Sequence, residues 1–149
     1  DGYPTTKLPA INITSPNELF TVVEKNDSLF VRQQKSQKEI KTGFLSTKIQ
    51  QLAWAENNKH LIMLLASKEK GKQSTNDMGK SILTIFDLQK KKIVKMFDTV
   101  GSNRFVLIGD FLIFDNGFGK DSHIEIFKLE SQSNFKTIKI NGGCGLRNI

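Results

Sequence analysis

The sequence predicts an all-β chain of three four-stranded antiparallel units, propeller-like in plan. Ser81 to Thr99 reads as two extended arms rich in Val, Ile, Phe and Thr around the polar break Gln89-Lys90-Lys91-Lys92, which is a β-hairpin. Weaker copies of that hairpin occur before and after it. No stretch longer than about ten residues carries a 3.6-residue apolar period.

The first unit covers about residues 10–44. Asp1 to Pro9 holds two of the three prolines and is an irregular lead-in. Ile11 and Ile13 alternate with polar neighbours as a short strand does. Ser15-Pro16-Asn17-Glu18 is a turn, with Pro placed to open it. Leu19 to Glu24 is the next strand, Lys25 to Ser28 a polar turn, and Leu29 to Arg32 a third strand. Gln33 to Lys38 has no apolar residue and turns the chain. Glu39 to Phe44 then sets Ile40, Thr42 and Phe44 on one face at strand period.

The second unit covers about 48–99. Gln51 to Ala55 carries the only Trp, and Glu56 to Lys59 turns into His60 to Ala66. That unbroken apolar run suits a strand covered on both faces. Ser67 to Lys80 is a polar insertion of about fourteen residues, near the upper end of ordinary loop lengths. The hairpin of Ser81 to Thr99 completes the unit.

The third unit covers about 103–141. Arg104 to Ile108 meets the turn Gly109-Asp110, and Phe111 to Phe114 returns. Asp115 to Asp121 is a glycine-rich loop, followed by the strands His123 to Leu129 and Phe135 to Ile140. Asn141 to Gly145 ends regular structure.

The third strands align as Leu29-Phe-Val-Arg32, Leu83-Thr-Ile-Phe-Asp-Leu88 and Ile124-Glu-Ile-Phe-Lys-Leu129, each followed by a polar turn and another strand. The first turns align as Ser15 to Glu18, Ala55 to Asn58 and Gly109-Asp110. Spacing is 54 residues from Val31 to Ile85 and 41 from Ile85 to Ile126, and the Ser67 to Lys80 insertion explains the difference. Four short strands repeating every ~40 to 50 residues are the mark of propeller blades.

Leu52-Ala-Trp-Ala-Glu-Asn-Asn-Lys-His-Leu61 resembles the turn region of the WD-like repeats of TolB-type propellers. Ser15-Pro-Asn-Glu-Leu19 resembles the same turn, and Ile85-Phe-Asp-Leu88 resembles the aromatic-Asp pair of WD repeats. The third unit lacks the Ser-Pro-type turn, the first lacks the aromatic-Asp pair, and none has a Gly-His dipeptide. The resemblance implies a place in the cell envelope or periplasm and contacts with other envelope proteins. Propellers close with about four to eight blades, and twelve strands supply three. The expectation is therefore part of a longer propeller, an open set of blades completed by another chain, or a β-sandwich or barrel built from repeated hairpins.

At 149 residues, 38% of them apolar with eleven Phe, the chain 1–149 is read as a single domain with a sizeable core. It begins at Asp1, which is consistent with a removed leader or a start inside a longer protein. The longest apolar run, Leu61 to Ala66, is strand-sized and far short of the ~18 residues that span a bilayer. One cysteine, Cys144, excludes an intrachain disulfide and a cysteine-built zinc site. Net charge is +7, but only Arg32, Arg104 and Arg147 among the 22 basic residues are Arg. Phosphate and base recognition leans on Arg forks, whereas scattered Lys keeps strand edges soluble, so nucleic-acid binding is disfavoured.

No nucleophile elbow, phosphate-cradling loop or zinc-helix motif is present, and His60 and His123 read as strand-end residues. Asp115 to Asp121 lacks the alternating ligands and closing Glu of a calcium loop. No catalysis, metal or cofactor is expected. The expected role is a protein-interaction scaffold whose variation lies in loops, with another protein chain or a second copy as partner. Asn116 and Phe118 in the glycine-rich loop, and Lys70 and Lys72 in the insertion, are the candidate partner contacts. The alternatives are an accessory β domain of a larger enzyme and a basic nucleic-acid-binding module.

Overall fold

Hairpin after hairpin, the chain lays down three separate antiparallel sheets in a computed structural model that describes residues 13–66, 80–102 and 104–140. Sheet 1 holds β1 (Phe20–Lys25), β2 (Ser28–Gln33) and β3 (Glu39–Leu45). Sheet 2 holds β4 (Ile49–Trp54), β5 (His60–Ala66), β6 (Lys80–Asp87) and β7 (Lys92–Val100). Sheet 3 holds β8 (Phe105–Ile108), β9 (Phe111–Asn116), β10 (His123–Lys128) and β11 (Ser133–Lys139). Spatial order follows chain order in each sheet. Among the described residues no strand is exchanged between sheets, so these strands form neither a barrel nor a sandwich of interleaved units.

Sheet 1 departs from the predicted four strands: three are present among the described residues. Thr14 bridges Thr21, and the Val22 amide donates to Ile13 O at 2.8 Å, so the chain ahead of β1 runs along β1's free side. Ile11, expected in the same strand, lies outside the described residues, as do residues 67–79 of the insertion and Cys144. Asp115 and Asn116, expected in a loop, extend β9, because Asp115 pairs with Ile124 and Asn116 with His123.

Equivalent turns fold alike. Ser15 N donates to Phe20 O and Glu18 N to Ser15 O, both at 2.8 Å; forty positions on, Ala55 N donates to His60 O at 2.9 Å and Asn58 N to Ala55 O at 3.1 Å. Glu18 and Asn58 share the left-handed conformation, at φ 60 and 59. A second bond repeats in all three sheets: Gln34 N to Leu19 O, Leu88 N to Lys59 O and Leu129 N to Asp110 O, at 2.8–2.9 Å. It ties each sheet's last turn to its first, at one common end of the molecule.

Strand period sorts the core into two halves. Leu52, Trp54, Leu61, Met63, Leu65 and Phe86 face sheet 1 and pack on Val22, Leu29 and Val31. Their neighbours Ala53, Ala55, Ile62, Leu64, Leu83 and Ile85 face sheet 3 and pack on Phe105, Leu112, Phe114 and Phe127. Leu61 to Leu64 are wholly buried, each contributing about 1.5–3 kcal/mol relative to exposure. The apolar run of β5 is therefore apolar because both its faces are covered.

Polar clamps align the sheets. Gln51 on β4 donates from Nε2 to Phe105 O at 2.9 Å and accepts from Phe105 N at 2.8 Å, joining the first strands of sheets 2 and 3. Trp54 Nε1 donates to Ile13 O at 3.1 Å. The outermost strands β3, β7 and β11 carry Lys41, Lys92, Lys95, Lys136 and Lys139, charges that discourage edge-to-edge pairing.

Candidate functional site

Where the turns of sheets 1 and 2 meet, at the end marked by the repeated hydrogen bond, a cleft of about 590 Å³ opens. Its floor is apolar, formed by Phe20, Ile40 and Leu88, and Lys38, Lys59 and Lys91 lie along it. Side-chain amides of Asn17, Gln33, Asn57, Asn58 and Gln89 complete the walls, with Glu39 the one carboxylate. Glu39 is already engaged: Lys25 hydrogen-bonds it and Arg32 lies 3.7 Å away. The Lys25 hydrogen bond, more than any other influence, holds its carboxyl below the usual range. Lys59 lies 3.7 Å from Glu130, an exposed pair. Lys38 and Lys91 have no charge partner among the described residues.

The cleft walls are braced from within. Asn17 N donates to Asn58 Oδ1 at 2.8 Å, locking the first turns of sheets 1 and 2 together. Asn57 Oδ1 accepts from the amides of Lys59 and His60, so its Nδ2 faces His60 Nδ1 at 2.8 Å. The imidazole proton accordingly sits on Nε2, 3.5 Å from Asp87 Oδ2, while Asp87 Oδ1 accepts from Lys90 N at 2.9 Å. His60 thus links both turns of sheet 2. Burial pushes its pKa below the ordinary imidazole value, against the pull of Asp87. Its partner across the strands is also Asp87, so the pair is placed by register alone.

The residues singled out in the sequence do not gather in this cleft. Asn116 and Phe118 lie at the other end of the strands, where sheets 2 and 3 join. Asn116 Oδ1 accepts from Val100 N at 2.7 Å, and Gly117 N donates to Val100 O at 2.7 Å. Phe118 is 54% exposed, yet one edge of its ring covers Gly101, where a Cβ would lie 2.8 Å from a ring carbon. The glycine-rich loop is pinned by these contacts and carries a 3-10 turn over Gly119–Asp121. Lys70 and Lys72 lie outside the described residues. Sequence reasoning missed the cleft lysines; the matched turns at Ser15 and Ala55 were the signal that residues near them share an end.

A second surface is the outward face of sheet 3. Val106, Ile113 and Ile126 pair across it, flanked by Ile108 and Phe111 and by Ile124 opposite Ile138. None belongs to either core, and Ile108 and Ile138 are 60% and 41% exposed. Phe135, 61% exposed, sets its ring 5.1 Å from that of Phe111, tilted by 58°. The outward face of sheet 1 differs: its Thr21-Arg32-Glu39 row is polar, and Lys25 covers Phe30 at 6.0 Å.

No family model matches the chain, and no curated protein sequence matches it. Solved structures do. Acylaminoacyl peptidase from Pyrococcus horikoshii superposes with a TM-score of 0.57 at 14% identity, over 85% of this chain and 24% of that one. The β-propeller domain of the Trilobed protease from Pyrococcus furiosus gives 0.58 at 15% identity, over 87% of this chain and 42% of that one. U3-55K gives 0.57 at 12%, over 96% and 42%. The chain therefore spans well under half the length of these proteins. At such identities the likeness is one of fold: an all-β, propeller-like stack of antiparallel sheets, without pointing to TolB-type or WD repeats in particular.

Proposed function

We infer that the chain is a non-catalytic protein-interaction scaffold built from propeller-like sheets. The observation that carries this reading is the outward face of sheet 3. Sheet 2 has two apolar faces and each is covered by a neighbouring sheet; sheet 3 has a second, largely apolar face, centred on Ile113 and Ile126 with Asp115 and Lys136 beside them, and among the described residues it is half-buried to exposed. A contiguous apolar face marks a surface that meets another protein. The occupant that matches its geometry is a further antiparallel sheet, stacked as sheet 3 is on sheet 2, from another chain or a second copy. Both histidines are taken up internally, His60 as described and His123 by Asp121 O at 2.9 Å and Glu125 at 3.6 Å, which supports a role without catalysis.

Light scattering tests this. The chain is expected to form dimers or larger assemblies at micromolar concentration, and Ile126→Lys to shift them to monomer with the far-UV circular dichroism of the folded chain retained, the thermal midpoint falling only as loss of assembly requires. A stable monomer at about 100 µM that behaves identically with Ile126→Lys defeats the reading. A second reading, the accessory β domain of a larger enzyme, is favoured by the fold shared with a protease's propeller domain. The mass of the intact native protein separates the two.

A further inference from the structure

The cleft between the turns of sheets 1 and 2 has a composition that selects its ligand. Three lysines lie along it, and its single carboxylate, Glu39, is held by Lys25 and Arg32. Lys38 and Lys91 are therefore uncompensated cations on the sheet 1 and sheet 2 sides respectively. Between them lies an apolar floor of Phe20, Ile40 and Leu88. Gln33 lines the cleft and its Oε1 accepts from Ser36 at 2.6 Å, which leaves its Nε2 without an acceptor among the described residues, and Gln89 has no partner among them either. Primary amides donate and accept, as a peptide backbone does.

We propose that this cleft docks an extended acidic peptide segment of a partner protein, with one apolar side chain of that segment seated between Phe20, Ile40 and Leu88. Docking here presupposes that the chain is a protein-binding scaffold, but it uses a surface separate from the outward face of sheet 3. The volume, about 590 Å³, lies within the range of ligand-binding clefts. Carboxylates of the peptide meet Lys38 and Lys91, and its amides meet Gln33 and Gln89. A nucleic-acid strand fits less well, since no Arg lines the cleft and its one aromatic, Phe20, stacks 6.3 Å from Trp54 rather than presenting a free face. The bonds from Asn17 to Asn58 and from Asn57 to His60 hold the walls before binding, which lowers the ordering cost.

The test is fluorescence anisotropy with a labelled six-residue peptide, one leucine flanked by aspartates and glutamates, at about 50 mM salt. Three comparisons accompany it: the same peptide with serine for leucine, a single-stranded oligonucleotide, and heparin. The acidic peptide is expected to bind. Affinity should fall about tenfold or more on combining Lys38→Gln with Lys91→Asn, a few-fold per rim charge, and several-fold with the serine peptide. Lys120→Gln, exposed at the opposite end of the strands, should change it less than twofold. The serine peptide tests the apolar floor without altering the protein, so misfolding of a variant cannot decide the matter. No binding, equal binding of both peptides, or tighter binding of the oligonucleotide or heparin overturns the proposal. Because Ile126→Lys is read by light scattering on the other surface, failure here leaves that result standing.

Discussion

Removing the Gln51 clamp tests how much of the stacking of sheets 2 and 3 depends on polar fit rather than on apolar burial. Gln51→Ala deletes two hydrogen bonds, at 2.9 and 2.8 Å, and strands both the N–H and the C=O of Phe105 on β8. A backbone group left dry costs about 1–3 kcal/mol. Gln51 and Phe105 also line a groove of about 390 Å³ at the first strands, with Trp54 and Leu107. Water entering that groove relieves part of the penalty, which puts the loss near the low end for each group, about 2 kcal/mol in all. For a chain of this size that is about 4–8 °C in Tm. Urea unfolding followed by Trp54 fluorescence measures it, since Trp54 is buried at the sheet 1 to sheet 2 boundary; far-UV circular dichroism should trace the same transition. Gln51→Glu sharpens the experiment. It keeps the acceptor for Phe105 N but sets a carboxylate against Phe105 O. It should be worse than alanine at pH 7.5 and recover as pH falls, because repulsion raises the introduced group's pKa above about 4.3 and protonation restores a donor. A loss below about 0.5 kcal/mol for Gln51→Ala would refute the reasoning and show that burial alone aligns the sheets.

Acidification should weaken the fold through His60. Burial lowers its folded pKa, so the unfolded chain binds the proton more readily and stability falls as pH drops below about 6.5; urea midpoints at pH 7.5 and 5.5 should differ for the native chain and differ less for His60→Gln. Gly117→Ala should lose about 2 kcal/mol or more, since Gly117 holds φ +92 and a Cβ there would sit 2.3 Å from Asp121 O. Unchanged denaturant midpoints for that variant would mean the loop relaxes freely and does not anchor Phe118.

Much of this architecture was legible because it is local. Alternation at period two marked the strands, polar clusters marked the turns, and the likeness of Ser15-Pro-Asn-Glu18 to Ala55-Glu-Asn-Asn58 survives as the same pair of backbone hydrogen bonds. The apolar run of β5 announced a strand covered on both faces. Less was legible at the ends. The strand expected at Ile11 and Ile13 is seen only as the Thr14 bridge, and the loop at Asp115 gave up its first two residues to β9, since pairing with β10 overrode the pull of the glycines.

What the sequence alone determined is the hairpin: a strand's side-chain alternation and a turn's left-handed residue are set by neighbours within a few positions. What only the tertiary structure decided is which surfaces those hairpins share. Lys38, Lys59 and Lys91 are scattered over more than fifty positions and meet because sheets 1 and 2 stack with their turns level. Gln51 finds Phe105 across 54 positions, and Asn116 finds Val100 across 16, for the same reason. Ile113 and Ile126 alternate at strand period as core residues do, yet among the described residues no sheet covers their side. Stacking is governed by the fit of whole faces, and no local pattern encodes which face will find a neighbour.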